Sequence, residues 1–547
     1  MPRTGGEAVV LSLESHGVST VFGIPGVHNL AVYEALCDAP GIQHIVARHE
    51  QGAAFMADGY ARSSGRVGIC LSTSGPAALN TLTGLGTAYS DSSPVLCIAS
   101  QIPAAGIGQN KGYIHECRDQ LACFRPVTKW CERANTVQQI PELLRDAFLC
   151  ARDGRPRPTA LEIPCDVLDS NGEFTIPAPA TVRRTAAAAE EVERATELLV
   201  KARRPVIYAG GGVISSAASD ELRQLAEQLD APVFTTVLGK GAVAADHPLH
   251  AGSTIVHPGP QKFIDGCDVM LAVGTRFTAD ETDGWTLRLP ETLIHVDVDP
   301  DEIDRNYRTT AGVVGDARES LRAIRANLAT RRNDGGGKTS LRAPDVSALR
   351  KSILEDCRKR APDGVELVET LRAALPRETV VVSDLTVAAY WCRRLLDLYD
   401  PRTNVYPWGF CTLGFGVPAA IGAKVARPDR PVVLLSGDGG FLFNCQELAT
   451  AVQFNVPIVA LVFNDGGYGV LRRQQEVLYG RTLGADLVNP DFVALARSFG
   501  VDGQLVTAPD ELGPSVEAAV ASGRPSLIEV KTKIPWQAME PSARLFS

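Results

Sequence analysis

No two of the 13 cysteines are spaced as a CxxC pair, and none combines with histidine at the intervals of a zinc site. That excludes a disulfide framework or a zinc module as the organising feature and points to reduced thiols in a cytoplasmic protein. No apolar run approaches the roughly 20 residues that cross a bilayer, so no membrane partner is expected. Residues 1–15 lack a basic start followed by a long apolar stretch, so no export leader is expected either. Charge is not blocked into runs: 54 basic against 63 acidic residues leave a net charge of −9, which offers no footprint for nucleic acid. What is present is a globular composition, 45% hydrophobic and 21% charged, in 547 residues that suffice for three separate cores.

Two stretches interrupt the pattern. Residues 171–189 are rich in Pro, Thr and Ala, and residues 329–345 contain Arg331-Arg332-Asn333-Asp334-Gly335-Gly336-Gly337, which is linker chemistry. They divide the chain into domains at 1–170, 188–328 and 346–547. Each part alternates short apolar strands with helical spacing, which predicts an α/β fold: three domains, each a mostly parallel sheet flanked by helices. Buried strands are expected at 67–72 and 94–100, at 205–209, 269–274 and 293–297, and at 380–382, 431–435 and 456–463.

The third part carries the strongest chemical signal. The strand expected at 431–435 runs into Ser436-Gly437-Asp438-Gly439-Gly440, and 25 residues after Gly439 comes Asn464-Asp465-Gly466-Gly467-Tyr468-Gly469. Helical spacing over 445–454 separates them, so the two turns fall side by side at the carboxyl ends of neighbouring parallel strands, where open α/β sheets bind ligands. Asp438, Asn464 and the Gly466 carbonyl are oxygen donors suited to a hard cation. Gly437, Gly439, Gly440, Gly467 and Tyr468 lie in the same two turns, whose glycines leave backbone N–H groups free to meet phosphate oxygens. Together they describe a diphosphate held through a divalent metal.

This spacing resembles the GDG…N signature of thiamine-diphosphate enzymes. Over residues 21–533 the chain is similar to the acetolactate synthase and 2-oxo-acid decarboxylase family. The resemblance is carried by Val21-Phe22-Gly23-Ile24-Pro25-Gly26, Arg48-His49-Glu50-Gln51-Gly52-Ala53-Ala54 and Thr73-Ser74-Gly75-Pro76. Leu238-Gly239-Lys240-Gly241, Gly274-Thr275-Arg276-Phe277 and Gly414-Phe415-Gly416-Val417-Pro418-Ala419-Ala420 extend it. It implies thiamine diphosphate and Mg²⁺ as cofactors, with pyrimidine-binding, central Rossmann-like and diphosphate-binding domains in that order. Glu50 matches the family's catalytic glutamate, which exchanges a proton with the cofactor's pyrimidine ring. Leu413 matches the apolar residue that wedges under the bent cofactor, while Gly409 and Phe410 are expected in the pyrimidine pocket. Thr73, Ser383 and Asp384 are further expected cofactor contacts. The family also implies a homodimer or homotetramer whose active sites lie between subunits.

On the substrate side the resemblance points to His115 and His28 as catalytic candidates and to Val27, Val470 and Leu471 as pocket walls. It implies loss of CO₂ from a small-molecule 2-oxo acid through an enamine, ending in aldehyde release or ligation to a second carbonyl. A basic substrate side chain would need a buried acid, for which Glu116 and Asp119 are candidates. Acetolactate synthases carry FAD in the central domain and continue Gly-Thr-Arg-Phe with paired aspartates, where this chain has Thr278-Ala279-Asp280-Glu281. That departure makes FAD doubtful and favours a structural central domain, hence a decarboxylase or carboligase over a flavin-bearing acetolactate synthase or a flavin-dependent oxidase. The apolar tail at 534–547 is expected to fold over the active-site mouth.

Overall fold

The computed structural model describes residues 2–253, 255–332 and 342–531. The glycines expected as a linker at 335–337 and the tail at 534–547 lie outside the described residues.

Three six-stranded parallel sheets organise the chain. The first contains β1 (Thr20–Gly23), β2 (Gln43–Val46), β3 (Gly68–Ser72), β4 (Val95–Gln101), β5 (Trp130–Arg133) and β6 (Thr159–Pro164), in spatial order β2-β1-β3-β4-β6-β5. The middle sheet contains β7 (Pro205–Ala209), β8 (Val233–Thr235), β9 (His250–Gly252), β10 (Val269–Val273), β11 (Thr292–Asp297) and β12 (Ala311–Val314). Its order, β9-β8-β7-β10-β11-β12, is that of a doubly wound dinucleotide-type sheet. The third contains β13 (Val380–Ser383), β14 (Asn404–Val405), β15 (Val432–Gly437), β16 (Ile458–Phe463), β17 (Asp502–Val506) and β18 (Ser526–Val530). Its order, β14-β13-β15-β16-β18-β17, repeats that of the first sheet strand for strand. Central strands such as Val432–Gly437 and Ile458–Phe463 are buried along their whole length, because helices cover both faces of a parallel sheet and every position needs an apolar or small side chain.

The first and third sheets also share a core. Helix Glu50–Ser64 follows β2, helix Gly416–Ala426 follows β14, and these topologically equivalent helices pack on each other within one chain. Glycine makes the approach possible: a Cβ at Gly59 would stand 2.2 Å from the Ala419 carbonyl oxygen, and one at Gly422 would stand 1.9 Å from that of Met56. Phe55 meets Phe415 edge to face with centroids 5.4 Å apart. Beside them the buried Arg62 guanidinium bonds Asp58 at 2.7 Å, Asp91 at 3.0 Å and the Tyr406 carbonyl at 2.8 Å, fastening the two domains through one charge. Its ion pairs satisfy carboxylates that would otherwise be buried unpaired.

Candidate functional site

Because β15 and β16 are neighbours in register, the turns that leave them meet. Asp438 opens the single turn Asp438–Phe441 and is buried; its Oδ2 accepts from Gly467 N at 2.8 Å and from Asn489 Nδ2 at 2.5 Å. The same Asn489 amide donates to Asn464 Oδ1 at 3.0 Å. Asn464 is held by its own Nδ2, which donates to buried Glu529 at 2.7 Å and so turns its oxygen toward Asp438. Two oxygens thus converge on one donor nitrogen, the arrangement a hard cation would use. Asp465 alongside is pushed up to about 6, first by burial and then by the Asp438 charge. The donor set therefore fits a divalent cation carrying a diphosphate. Gly466, with φ +74°, supplies the tight turn, but its carbonyl accepts from Arg472 Nη2 and Leu487 N, each at 2.9 Å. Tyr468 lies over the first turn: a Cβ at Gly439 would stand 2.7 Å from its ring.

Other expected cofactor contacts are close to these turns with different commitments. Ser383 ends β13, Asp384 follows it, and both are buried. The Asp384 carboxylate accepts from the backbone N–H groups of Leu385 (2.8 Å), Gly414 (3.0 Å) and Gly416 (3.1 Å), so it anchors the turn that carries Leu413. Burial pushes it up to about 6 despite those bonds. Leu413 is half-buried, and Gly409 and Phe410 are exposed. Gly409 N donates to Asp91 of the first domain at 2.7 Å, and the Phe410 ring rests on Gly86. Val470 and Leu471 begin helix Gly469–Tyr479, with Leu471 48% exposed.

Glu50 opens helix Glu50–Ser64 at the carboxyl end of β2, half-exposed, and its Oε2 accepts from Asn80 Nδ2 at 3.0 Å. Among the described residues no hydrogen bond joins it to the Asp438 cluster. The turn before it is set from the third domain: buried Glu447 accepts from Arg48 N and His49 N at 3.0–3.1 Å, and a Cβ at Gly52 would strike its Oε1 at 2.4 Å. The His49 ring caps the helix by accepting from Gln51 N at 3.1 Å.

A second cluster forms where β1, β3 and β4 end. His28 Nδ1 lies 2.5 Å from Ser74 Oγ, and the same hydroxyl lies 3.4 Å from His115 Nδ1. Thr73 is buried beside it, in hydrogen-bond contact with Ser100 Oγ at 3.4 Å, and Val27 stands out at 62% exposure. Glu116 and Asp119 are not buried acids. Glu116 accepts from the backbone of Lys111, Gly112 and Tyr113, and Asp119 caps Ala122 N, so each carboxylate is spent on its own loop. Ser74, Glu447, Glu529 and Asn489 were not expected as functional residues. Only Ser74 carried any sequence signal, lying next to Thr73 in a matching motif.

A cavity of about 320 Å³ opens at the carboxyl end of the middle sheet, where its strand order reverses, and reaches all three domains. Gly211, Gly212, Arg155, Arg276, Asp297 and Lys240 are in its wall. Glu281 is buried there, accepting from Val237 N at 2.8 Å and the Tyr208 hydroxyl at 3.2 Å.

Three family models match the chain, described as the thiamine pyrophosphate enzyme N-terminal TPP binding domain (residues 3–123), central domain (192–324) and C-terminal TPP binding domain (384–530). A probable acetolactate synthase large subunit of Methanocaldococcus jannaschii is 38% identical, over 96% of this chain and 91% of that protein. A probable 2-ketoarginine decarboxylase of Pseudomonas aeruginosa is 39% identical, over 96% of this chain and 94% of that protein. The acetolactate synthase isozyme 2 large subunit of Escherichia coli is 33% identical over 98% of both.

Proposed function

The chain belongs to the thiamine pyrophosphate enzyme family, and we propose that it decarboxylates a 2-oxo acid with thiamine diphosphate and Mg²⁺, releasing an aldehyde or joining the decarboxylated fragment to a second carbonyl. The convergence of Asp438 Oδ2 and Asn464 Oδ1 on one donor carries this reading, because it supplies the oxygen set that a metal-bound diphosphate needs. Thiamine diphosphate, when bound, supplies the carbon nucleophile and the electron sink for loss of CO₂. Asp438 and Asn464 would hold the cation, with the Gly466 carbonyl joining them by exchanging its Arg472 contact. The N–H groups of the Gly437–Gly440 turn would face the diphosphate, and Leu413, Gly409 and Phe410 would line the ring pocket. Glu50, steadied by Asn80, would exchange a proton with the pyrimidine ring nitrogen. His28 and His115 would act at the substrate, between the apolar walls Val27, Val470 and Leu471.

An assembly belongs to the same reading. Val27, Phe410 and Leu471 expose 62%, 51% and 48% of their area on one chain, apolar surface that a second copy would cover while bringing its own Glu50 or Asp438 cluster to complete the site. A homodimer is the smallest assembly that does this, with a homotetramer built from two.

A flavin-bearing acetolactate synthase is the second reading, and the middle cavity favours it. Its place at the strand-order reversal, with Gly211, Gly212 and Gly274 leaving backbone exposed beside Arg155 and Arg276, suits a nucleotide diphosphate. One experiment separates the readings: assay products from pyruvate and from larger 2-oxo acids with thiamine diphosphate and Mg²⁺ but no FAD. Aldehyde from a larger oxo acid supports the decarboxylase. Acetolactate formed only after FAD is added would replace it with the synthase.

A further inference from the structure

The His28, Ser74 and His115 cluster is built with unusual care for a set of loop residues. Ser74 is fully buried, whereas both imidazoles are only half-buried, and their rings meet at 84° with centroids 5.5 Å apart. His115 holds φ +64°, a left-handed backbone that is costly for a residue bearing a side chain. That conformation is enforced from below. Gly75, at φ +58°, lies so close that a Cβ there would stand 2.3 Å from the His115 carbonyl oxygen. Gly75 N donates to Gln120 Oε1 at 2.7 Å, and Gln120 Nε2 donates to the Ser100 carbonyl (3.0 Å) and to buried Glu162 (2.9 Å), which pairs with Arg133. The frame presents one buried hydroxyl to two ring nitrogens that come from residues 46 and 41 positions away.

We infer that the Ser74 hydroxyl joins His28 and His115 into a single proton relay that delivers the proton consumed when the decarboxylated fragment leaves as an aldehyde; this rests on the decarboxylase reading. Both Nδ1 atoms face the hydroxyl, which can accept from one ring while donating to the other. Each Nε2 is then free of protein partners among the described residues, one to meet substrate and the other to meet solvent. In the net reaction the oxo acid anion and one proton become aldehyde and CO₂. The substrate-facing ring, neutral with its proton on Nε2, gives that proton to the carbon that lost the carboxylate while its Nδ1 takes the Ser74 proton. In the same movement Ser74 takes the Nδ1 proton of the other ring, so the hydroxyl is never left ionised, and that ring's Nε2 takes a proton from water. Exchange with water returns both rings to their starting tautomers once the aldehyde has left. Burial, and after it the neighbouring His115, lower the His28 pKa. Ser74 is thereby a positioning and relay residue that acts through the two histidines.

The test uses the intact enzyme loaded with thiamine diphosphate and Mg²⁺, and the 2-oxo acid of the panel that gives most CO₂. First-turnover CO₂ and steady-state aldehyde are measured for the unmodified protein, Ser74→Ala, His115→Gln and the double variant. The relay predicts aldehyde release lowered about tenfold or more in each single variant, with first-turnover CO₂ lowered far less. It also predicts a double variant no slower than either single one, since both break the same chain. His115→Gln keeps a hydrogen-bonding partner for Ser74 and so gives the same reading if Ser74→Ala does not fold. Equal losses of CO₂ and aldehyde would mean that Ser74 merely holds the loops, and an unchanged aldehyde rate would equally remove the relay. No CO₂ from the unmodified enzyme with any oxo acid would instead bring down the decarboxylase reading, and the relay with it.

Discussion

The first and third domains run their strands in the same order and put different chemistry on the same ends. After the first strand of each sheet comes the loop of His28 in one and Asp384 in the other. After the third strand comes the Ser74-Gly75 turn in one and the Asp438-Gly439 turn in the other. After the fourth comes the loop that reaches His115, or Asn464 with its glycines. In the first domain two nitrogen bases surround a hydroxyl; in the third, carboxylate and amide oxygens surround a donor. The strand ends supply an address, and the residue types at that address supply the task. On the proposed reading, proton transfer falls to one copy of the fold and diphosphate holding to the other.

That division of labour can be broken most severely at Glu50. Glu50→Gln keeps the acceptor for Asn80 and removes the proton-exchanging group, so turnover should fall by about 10²–10⁴ while cofactor and metal affinity, measured by calorimetry, stay near normal. Near-normal turnover in this variant would sink the task assigned to the first domain. Asp438→Asn probes the third domain in the opposite sense. It preserves shape and an acceptor for Gly467 N but removes the only charge among the proposed side-chain ligands, so Mg²⁺ binding to the cofactor-free protein should weaken by about tenfold to a hundredfold. An unchanged metal titration would place the cation elsewhere.

The likeness of the two domains was only partly legible in the sequence, for physical reasons. Strands such as Val432–Gly437 and Ile458–Phe463 are covered on both faces and therefore announce themselves as continuous apolar runs. Trp130–Arg133 does not, because it is an edge strand whose Trp-Cys-Glu-Arg is half-exposed, and His250–Gly252 is only three residues long. Glu50, Asp438 and Asn464 stood out because each follows a strand and shares a short motif with glycine. Glu447 gave no such sign: it reaches back 399 residues to Arg48 N, a contact created by the pairing of the two domains. Glu116 and Asp119 are ambiguous in sequence because a carboxylate that caps backbone N–H groups looks the same as one that waits for a cationic substrate.

The packing of the twin helices offers a smaller perturbation. Gly422→Ala places a methyl where the Met56 carbonyl oxygen stands 1.9 Å away, backbone that cannot step aside without moving helix Glu50–Ser64. A loss of about 1–3 kcal/mol in denaturant unfolding is expected, with Glu50 chemistry impaired less than stability. An unchanged midpoint would mean that the two helices do not pack this closely in solution.

Asn489 sharpens the comparison at its finest grain. Among the described residues its amide is the one donor shared by Asp438 and Asn464, and it arrives from a segment whose backbone pairs with the second turn through Leu487 N to Gly466 O and Tyr468 N to Ala485 O. In the first domain the two histidines share the Ser74 hydroxyl, and in the third Asp438 and Asn464 share this amide. If Asn489 holds the two oxygens in ligand geometry, Asn489→Ala should weaken Mg²⁺ binding to the cofactor-free protein by about tenfold, less than the loss of a charged ligand. Asn489→Asp should tell orientation from charge, because it adds an acceptor and a negative charge where a donor stood. Weaker binding in the alanine variant, with a smaller loss or a gain in the aspartate variant, would mean the position acts through its field. Losses in both would mean that the donor N–H is what keeps Asp438 and Asn464 facing one point. Tighter binding in the alanine variant would show the amide to be a competitor for the cation, and the third domain's site would then have to open before it is filled.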